Sequence, residues 1–200
     1  NANALAASAV GYNNTAGGVG SSTIGYNNTA TNENASAFGY GNTAGGLASS
    51  AFGFSNTASG DNANAFGYNN IASGSKSNVF GTGNTVSGSS SNAVGTANEV
   101  AAENSTAIGN NNTISSGAEN SAALGNNISI SLKDSVALGN NSTATAINSV
   151  TGNSSYTKWA GVSDVVGVVS VGSSGATRQI QNVAAGQVSA TSTDAVNGSQ

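Results

Sequence analysis

The stretch SAVGYNNTAGG, residues 8–18, recurs with small changes along most of the chain. Copies begin at residues 22, 36, 50 and 64, and each places one large apolar residue directly before a glycine. That glycine returns with a 14-residue spacing through eight units, then after one 16-residue step, then again at the 14-residue spacing. A fixed period of this length indicates a repeat protein in which each unit packs against its neighbours. The repeat glycines are Gly11, Gly25, Gly39, Gly53, Gly67, Gly81, Gly95, Gly109, Gly125 and Gly139.

Each repeat has two short apolar segments separated by turn-forming residues. A glycine in every unit and a single strong apolar residue per repeat contradict a heptad helix, whereas two short strands joined by Asn-, Gly- and Ser-rich turns fit. We therefore predict an all-β parallel β-solenoid with one 14-residue repeat per coil. About ten coils would span roughly 45–50 Å at one strand spacing per coil. We expect the large apolar column to be buried: Val10, Ile24, Phe38, Phe52, Phe66, Phe80, Val94, Ile108, Leu124 and Leu138.

Asparagine occupies one position of the repeat in eight successive units. Stacked side-chain amides can donate to one neighbouring coil and accept from the other, which satisfies polar groups at a turn. We expect such a ladder through Asn14, Asn28, Asn42, Asn56, Asn70, Asn84, Asn98 and Asn112.

The composition excludes several classes of function. Charged residues make up 6% of the 200 residues, the net charge is −4, and there is no histidine or cysteine. Four scattered basic residues provide no footprint for nucleic acid or an anionic membrane. Without histidine or cysteine we predict no enzyme, and we expect no cofactor and no metal; Glu99, Glu103 and Glu119 are interpreted as solvated loop residues. No apolar run of about 18 residues or signal sequence is present, so we expect a mature fragment.

The apolar content of a single chain is small for a folded domain. One large apolar residue per 14-residue repeat hardly offsets roughly 1.5 kcal/mol of ordering entropy per residue. We therefore expect several copies to associate along their length and to share a core.

Three late repeats and the C-terminus carry a family resemblance. DSVALGNNS (134–142), NSAALGNN (120–127) and NSTAIGNN (104–111) are close to the NSVAIG unit of the YadA-like head of trimeric autotransporter adhesins. RQIQNVAAGQVSATSTDAVNGSQ (178–200) resembles the neck of that family. The resemblance implies a left-handed β-roll assembled as a homotrimer, whose neck crosses between chains toward a coiled-coil stalk.

The resemblance divides the chain into four parts. Residues 1–144 are the head repeats, 145–167 an insertion, 168–177 the last head repeat and 178–200 the neck. The 33-residue step from Gly139 to Gly172 equals one 14-residue repeat plus a 19-residue insertion. In the neck we expect five residues to contact other chains where the chain crosses between them: Ile180, Val183, Gly186, Val188 and Val196. We therefore expect Val183→Asp to disrupt trimers more than Val162→Asp in the insertion.

By resemblance the function is adhesion. Such a head mediates multivalent attachment to host cells and to matrix proteins such as collagen, fibronectin or laminin, with possible autoaggregation and a role in virulence. It lies at the surface of a Gram-negative bacterium and reaches the outer membrane only through a C-terminal anchor outside this sequence. Two alternatives remain open: a non-adhesive structural spacer, and an ice- or crystal-binding β-solenoid.

Aromatic residues are the candidate ligand contacts. Tyr12, Tyr26, Tyr40 and Tyr68 form a column after the repeat glycine, where they provide either a binding stripe or a stacking ladder that steadies the turn. Tyr156 and Trp159 in the insertion form either a local binding patch or a small insertion core.

Overall fold

Strands of two lengths alternate along the chain. The structure is a computed structural model and describes residues 1–148 and 164–200. The odd-numbered strands are β1 Ser8–Tyr12, β3 Ser22–Tyr26, β5 Ser36–Tyr40, β7 Ser50–Phe54, β9 Asn64–Tyr68, β11 Asn78–Thr82, β13 Asn92–Thr96, β15 Thr106–Asn110, β17 Ala122–Asn126, β19 Val136–Leu138 and β21 Val169–Ser170. The even-numbered strands are β2 Thr15–Ala16, β4 Thr29–Ala30, β6 Thr43–Ala44, β8 Thr57–Ala58, β10 Ile71–Ala72, β12 Thr85–Val86, β14 Glu99–Val100, β16 Thr113–Ile114, β18 Ser129–Ile130 and β20 Thr143–Ala144.

The two series form two parallel sheets. The long strands make an 11-stranded sheet and the short strands a 10-stranded sheet, each in chain order. Residues pair with their equivalents one repeat later, as in Phe38↔Phe52 and Ala44↔Ala58. The predicted all-β parallel solenoid with 14-residue repeats is confirmed. Most strands of the first series have five residues, and those of the second series have two.

The 16-residue step is absorbed in one turn. Ile108 pairs with Leu124, and Ile114 pairs with Ile130, so both sheets keep their register through this coil. The two additional residues therefore lie between β16 and β17. Gly117 in this turn has φ +91° and open space where a side chain would project.

The coil register resumes after the insertion. Val136 and Ala137 of β19 pair in parallel with Val169 and Ser170 of β21, so the partner strand comes from beyond the inserted segment. Tyr156, Trp159 and Val162 lie outside the described residues.

Two turns per coil use the left-handed backbone region. Asn27 and Asn34 have φ of 56° and 57°, and equivalent residues repeat along the chain. Asparagine and glycine dominate these positions because they adopt a positive φ at low cost. The Asn- and Gly-rich composition is thus a direct requirement of the coil.

The core of a single chain consists of small side chains, and the large apolar column lies outside it; burial of that column between chains stays a prediction. Within one chain that column faces outward: Val10 is 58% and Leu138 36% exposed, and Phe52 is half-buried. Side chains alternate between the two faces of a strand, so the residue directly before the large one points inward. That residue is Ala37 in β5 and Val79 in β11, both fully buried. The narrow space between the sheets accepts mainly such side chains.

The short strands supply the second buried column, and its size changes along the axis. The first five members are alanines, followed by two valines, two isoleucines and a final alanine. All ten are buried: Ala16, Ala30, Ala44, Ala58, Ala72, Val86, Val100, Ile114, Ile130 and Ala144. Coils six to nine therefore bury more apolar surface in this column than the first five coils.

The asparagine ladder is confirmed. Asn28 Nδ2 donates to Asn14 Oδ1 at 3.0 Å and to the carbonyl of Gly39 at 2.7 Å, and its backbone N–H also donates to Asn14 Oδ1. The ladder ends where Ile128 occupies the equivalent position, and Asn112 Oδ1 accepts from the N–H of Ile128 at 3.0 Å.

A second ladder, of serines, was not expected from the sequence. The hydroxyl oxygens of Ser91, Ser105 and Ser121 each accept from the backbone N–H of the equivalent residue one coil on, at 3.0–3.1 Å. The hydroxyl of Ser135 accepts from the N–H of Val168 at 3.1 Å, which connects the ladder to the coil after the insertion. Recurrence of serine at the repeat spacing was the available signal.

Among residues 1–148 and 164–200, no helix has the length and apolar character needed to cross a bilayer.

Candidate functional site

The outer face of the long-strand sheet carries the largest apolar side chains. Phenylalanines stack in register along the axis, with ring centroids 4.7 Å apart for Phe38–Phe52 and 5.1 Å for Phe66–Phe80. Aliphatic residues continue the column on both sides. We call this column, Val10 to Leu138, the apolar stripe.

The predicted aromatic column lies beside the apolar stripe, beyond the repeat glycine. Tyr12, Tyr26 and Tyr40 stack with Phe54 and Tyr68, with neighbouring centroids 4.9–5.3 Å apart. All five side chains are exposed. Because each ring covers the face of the next, the column presents mostly ring edges and hydroxyl groups to solvent.

The aromatic column is restricted to the first five coils. Polar residues replace it further on: Thr82, Thr96, Asn110 and Asn126. This change coincides with the larger core residues described above. The outer face is thus richest in aromatic surface where the core is thinnest.

The opposite face of the solenoid is polar and small. Threonines stand at the first position of seven of the ten short strands, and Ile71, Glu99 and Ser129 occupy the others. Within the described residues 1–148 and 164–200, only the long-strand face therefore has an extended apolar character.

Residues 178–200, which we predict to be the neck, contain no strand or helix, yet residues 183–186 and 197–200 contact each other. Gln200 Nε2 donates to the carbonyl of Gly186 at 2.7 Å, and the N–H of Gly186 donates to Gln200 Oε1 at 3.0 Å. Asn197 Nδ2 donates to the carbonyl of Val183 at 3.2 Å. A Cβ at Gly186 would lie 2.4 Å from the carbonyl oxygen of Ala195, so this contact requires glycine.

Three of the predicted neck residues come together. Ile180, Val183 and Val196 line one concavity of about 420 Å³, whereas Val188 is not part of its wall. Ile180, Val188 and Val196 are strongly exposed and Val183 is half-buried.

Arg178 closes the C-terminal end of the repeat stack. Its guanidinium donates to the carbonyls of Val171 and Asn140 and to the hydroxyl of Ser142. The guanidinium also lies against Gly139. At the earlier repeat glycines, such as Gly109, a backbone carbonyl of the next coil occupies the equivalent place. Sequence reasoning placed Arg178 in the neck and did not anticipate this contact, because no local pattern links it to a coil so much earlier in the chain.

The described ranges hold no group of three or more acidic, histidine or cysteine side chains that could bind a metal ion. A cleft of about 720 Å³ lies at the C-terminal end of the stack, between β20, β21 and Arg178. It contains no arrangement of a nucleophile with a base.

Two parallel sheets with one coil per repeat define a β-solenoid, and a hydrogen-bonded segment without strands follows it. Residues 16–42, 44–70, 87–112 and 133–150 match the model of the YadA head domain repeat. These four segments are therefore similar to YadA head repeats.

One curated relative and two solved structures are similar. The autotransporter adhesin BtaE of Brucella suis is 54% identical over 55 residues, which cover 28% of this chain and 7% of that protein. A C-terminal YadA-like domain from Burkholderia pseudomallei is 30% identical, covering 58% of this chain and 46% of that one, with a TM-score of 0.31. The collagen-binding domain of the Yersinia adhesin YadA is 24% identical, covering 88% and 81%, with a TM-score of 0.39.

Proposed function

We propose that this chain is the head of a trimeric adhesin, exposed at the surface of a Gram-negative bacterium, that attaches to host cells and extracellular matrix. The YadA head repeats are the observation that carries this proposal. BtaE, which shares part of the repeat region, is named an autotransporter adhesin. Collagen is the first candidate ligand to test, followed by fibronectin and laminin. The outer membrane is reached through an anchor elsewhere in the full protein.

The apolar stripe supports association of three chains. At about 4.8 Å per coil the stripe runs about 48 Å along ten coils. Its members are exposed or half-buried in one chain, and a continuous exposed apolar patch of this kind marks an interaction surface. Packing the stripes of three chains around a common axis removes them from water, and the aromatic column lies at the border of that contact.

Solid-phase binding tests the proposed function. The chain is fused to a trimerising stalk and applied to immobilised collagen, fibronectin and laminin and to host cells. Three identical surfaces on one particle are expected to raise apparent affinity by about 10²–10⁴ over a single chain. Phe66→Asp, which places a charge in the apolar stripe, is expected to disrupt trimers and lose this avidity. Thr57→Asp, on the polar face, is the matched control and should bind normally.

Failure of the trimeric head to bind any matrix protein or cell would contradict adhesion and favour the structural spacer. An ice-binding solenoid predicts thermal hysteresis instead. That alternative needs a regular threonine face, and Ile71 and Glu99 interrupt the single threonine column.

The aromatic residues named above remain the proposed ligand contacts. Tyr12, Tyr26, Tyr40 and Tyr68 present an accessible edge along the first five coils. Tyr156 and Trp159 are proposed as a second patch on the basis of sequence alone.

The neck is expected to clamp neighbouring chains. Val183→Asp puts a charge into the concavity shared with Ile180 and Val196, so we expect it to lower the melting temperature of the stalk-fused trimer. Val162→Asp in the insertion is expected to have a smaller effect, and Val166→Asp, at a strongly exposed position before β21, is a further comparison. A loss at either comparison position equal to that of Val183→Asp would show that the neck is not the clamp.

A further inference from the structure

Three tyrosines stack on consecutive coils with no other side chain between them. Tyr12 pairs in register with Tyr26, and Tyr26 with Tyr40. Their ring centroids are 5.2 and 5.0 Å apart and the rings are inclined by 16° and 7°. Near-parallel rings in the same register bring like atoms of neighbouring residues to about this separation.

We propose that Tyr12, Tyr26 and Tyr40 form a site of oxidative dityrosine cross-linking within one chain. The bond joins a Cε carbon, ortho to the hydroxyl, of one ring to the equivalent carbon of the next. The rings must approach from about 5 Å to a carbon–carbon bond length of about 1.5 Å, comparable with Cα–C. All three side chains are exposed, and exposed side chains change rotamer within nanoseconds, so this approach is accessible.

The reaction balances with a peroxide as the oxidant. Each tyrosine loses one electron and its phenolic proton to become a tyrosyl radical. Two radicals couple at their ortho carbons, and the hydrogen on each of those carbons then moves to the phenolic oxygen and restores the hydroxyl group. One hydrogen peroxide accepts the two electrons and two protons and becomes two waters, so each cross-link removes two hydrogen atoms from the protein.

The column itself restricts which residues can react. Tyr68 stacks on Phe54 on one side, at 5.3 Å, and pairs with Thr82 on the other. Phenylalanine has no phenolic hydrogen to lose, and Tyr40 lies two coils away, roughly 10 Å at one strand spacing per coil. Tyr68 is therefore outside the reactive group although its ring belongs to the same column.

Cross-linking would join the first three coils covalently along the axis. These coils have small cores, in which Thr23 and alanines are buried, and are otherwise held to each other by hydrogen bonds and stacking. A bond between neighbouring coils limits the freedom of the unfolded chain and so stabilises the folded one. Peroxide would thus strengthen the part of the solenoid that has the smallest core.

Peroxidase oxidation tests the proposal. The whole chain, carrying Tyr156→Phe to remove the fifth tyrosine, is treated with a peroxidase and hydrogen peroxide. Denaturing gels separate single chains from joined chains, and peptide mapping by mass spectrometry locates the bonds. We expect single-chain products that lack two hydrogens and join the peptides of Tyr12 and Tyr26, or of Tyr26 and Tyr40.

Variants of the column make the test specific. Tyr26→Phe keeps the stack but leaves the remaining reactive rings roughly two strand spacings apart, so the intrachain yield should fall at least about tenfold. Tyr68→Phe should leave the yield unchanged, and Phe54→Tyr should add bonds to Tyr40 and Tyr68. The proposal would be overturned if Tyr26→Phe left the intrachain yield unchanged, or if Tyr68 formed bonds without the change at Phe54. It would also be overturned if all products were joined between chains, or if the protein did not couple while free tyrosine coupled in the same mixture.

Discussion

Gly53→Ala is expected to lower the free energy of unfolding by about 2–6 kcal/mol, out of a typical domain stability of about 5–15 kcal/mol. Gly53 has φ +118°, a region that side-chain-bearing residues rarely adopt. A Cβ there would lie 2.1 Å from the carbonyl oxygen of Gly67 on the next coil. That oxygen belongs to the backbone of a strand, so relief requires the two coils to separate.

Gly83→Ala is the matched control for this effect. Gly83 also has a positive φ, +64°, but no atom lies near its would-be side chain. Ala97 holds the equivalent place one coil later with φ 53°. Only the backbone strain of about 1–2 kcal/mol is therefore expected. Denaturant unfolding of both variants measures the difference; a similar loss in both would show that contact between coils does not fix the repeat glycine.

Asn56→Asp is expected to cost at least about 3 kcal/mol. Asn56 is fully buried, and its Nδ2 donates to Asn42 Oδ1, to the carbonyl of Phe52 and to the carbonyl of Gly67 at 2.7–3.1 Å. A carboxylate cannot donate, so it would face three acceptors without water. The substitution also interrupts a column in which each amide supports the next.

Asn69→Asp controls for the change of charge. Asn69 stands at an exposed turn with φ 53°, a conformation that aspartate also tolerates. Its unfolding free energy should stay within about 0.5 kcal/mol of the unchanged protein. Equal destabilisation by the two substitutions, measured by denaturant unfolding, would mean that net charge and not the ladder is responsible.

The coil register could be predicted from the sequence because each coil imposes the same local demands. A glycine is needed wherever a carbonyl of the next coil approaches, and an asparagine wherever an amide must bridge two coils. These demands recur together through the first eight coils and leave a visible 14-residue period. The 16-residue step was equally visible, although only the structure shows that a single turn absorbs it.

The inward or outward direction of the large apolar residue could not be predicted in the same way. Alternation along a strand places Ala37 and Phe38 on opposite faces but does not say which face is inside. The usual expectation that large apolar residues are buried assumes a core formed by one chain. Here the narrow interior selects alanine, and the phenylalanines face outward.

Features that occur once in the chain leave no periodic signal in the sequence. Ile128 ends the asparagine ladder, and Gln200 pairs with Gly186 through its side-chain amide. Each occurs once, so the sequence offers no repetition from which the partner could be inferred.

The position of Arg178 bears on polymerisation. A stack of parallel strands ends in unpaired backbone groups that can template another chain, as in the growth of a fibril. A Cβ built at Gly109 would meet the carbonyl of Gly125 on the following coil. A Cβ built at Gly139 would instead lie 3.0 Å from the Arg178 guanidinium. The planar cation fills the space of one more coil and satisfies the carbonyls of Asn140 and Val171. Arg178 therefore caps part of the C-terminal edge and opposes the pairing of another chain there.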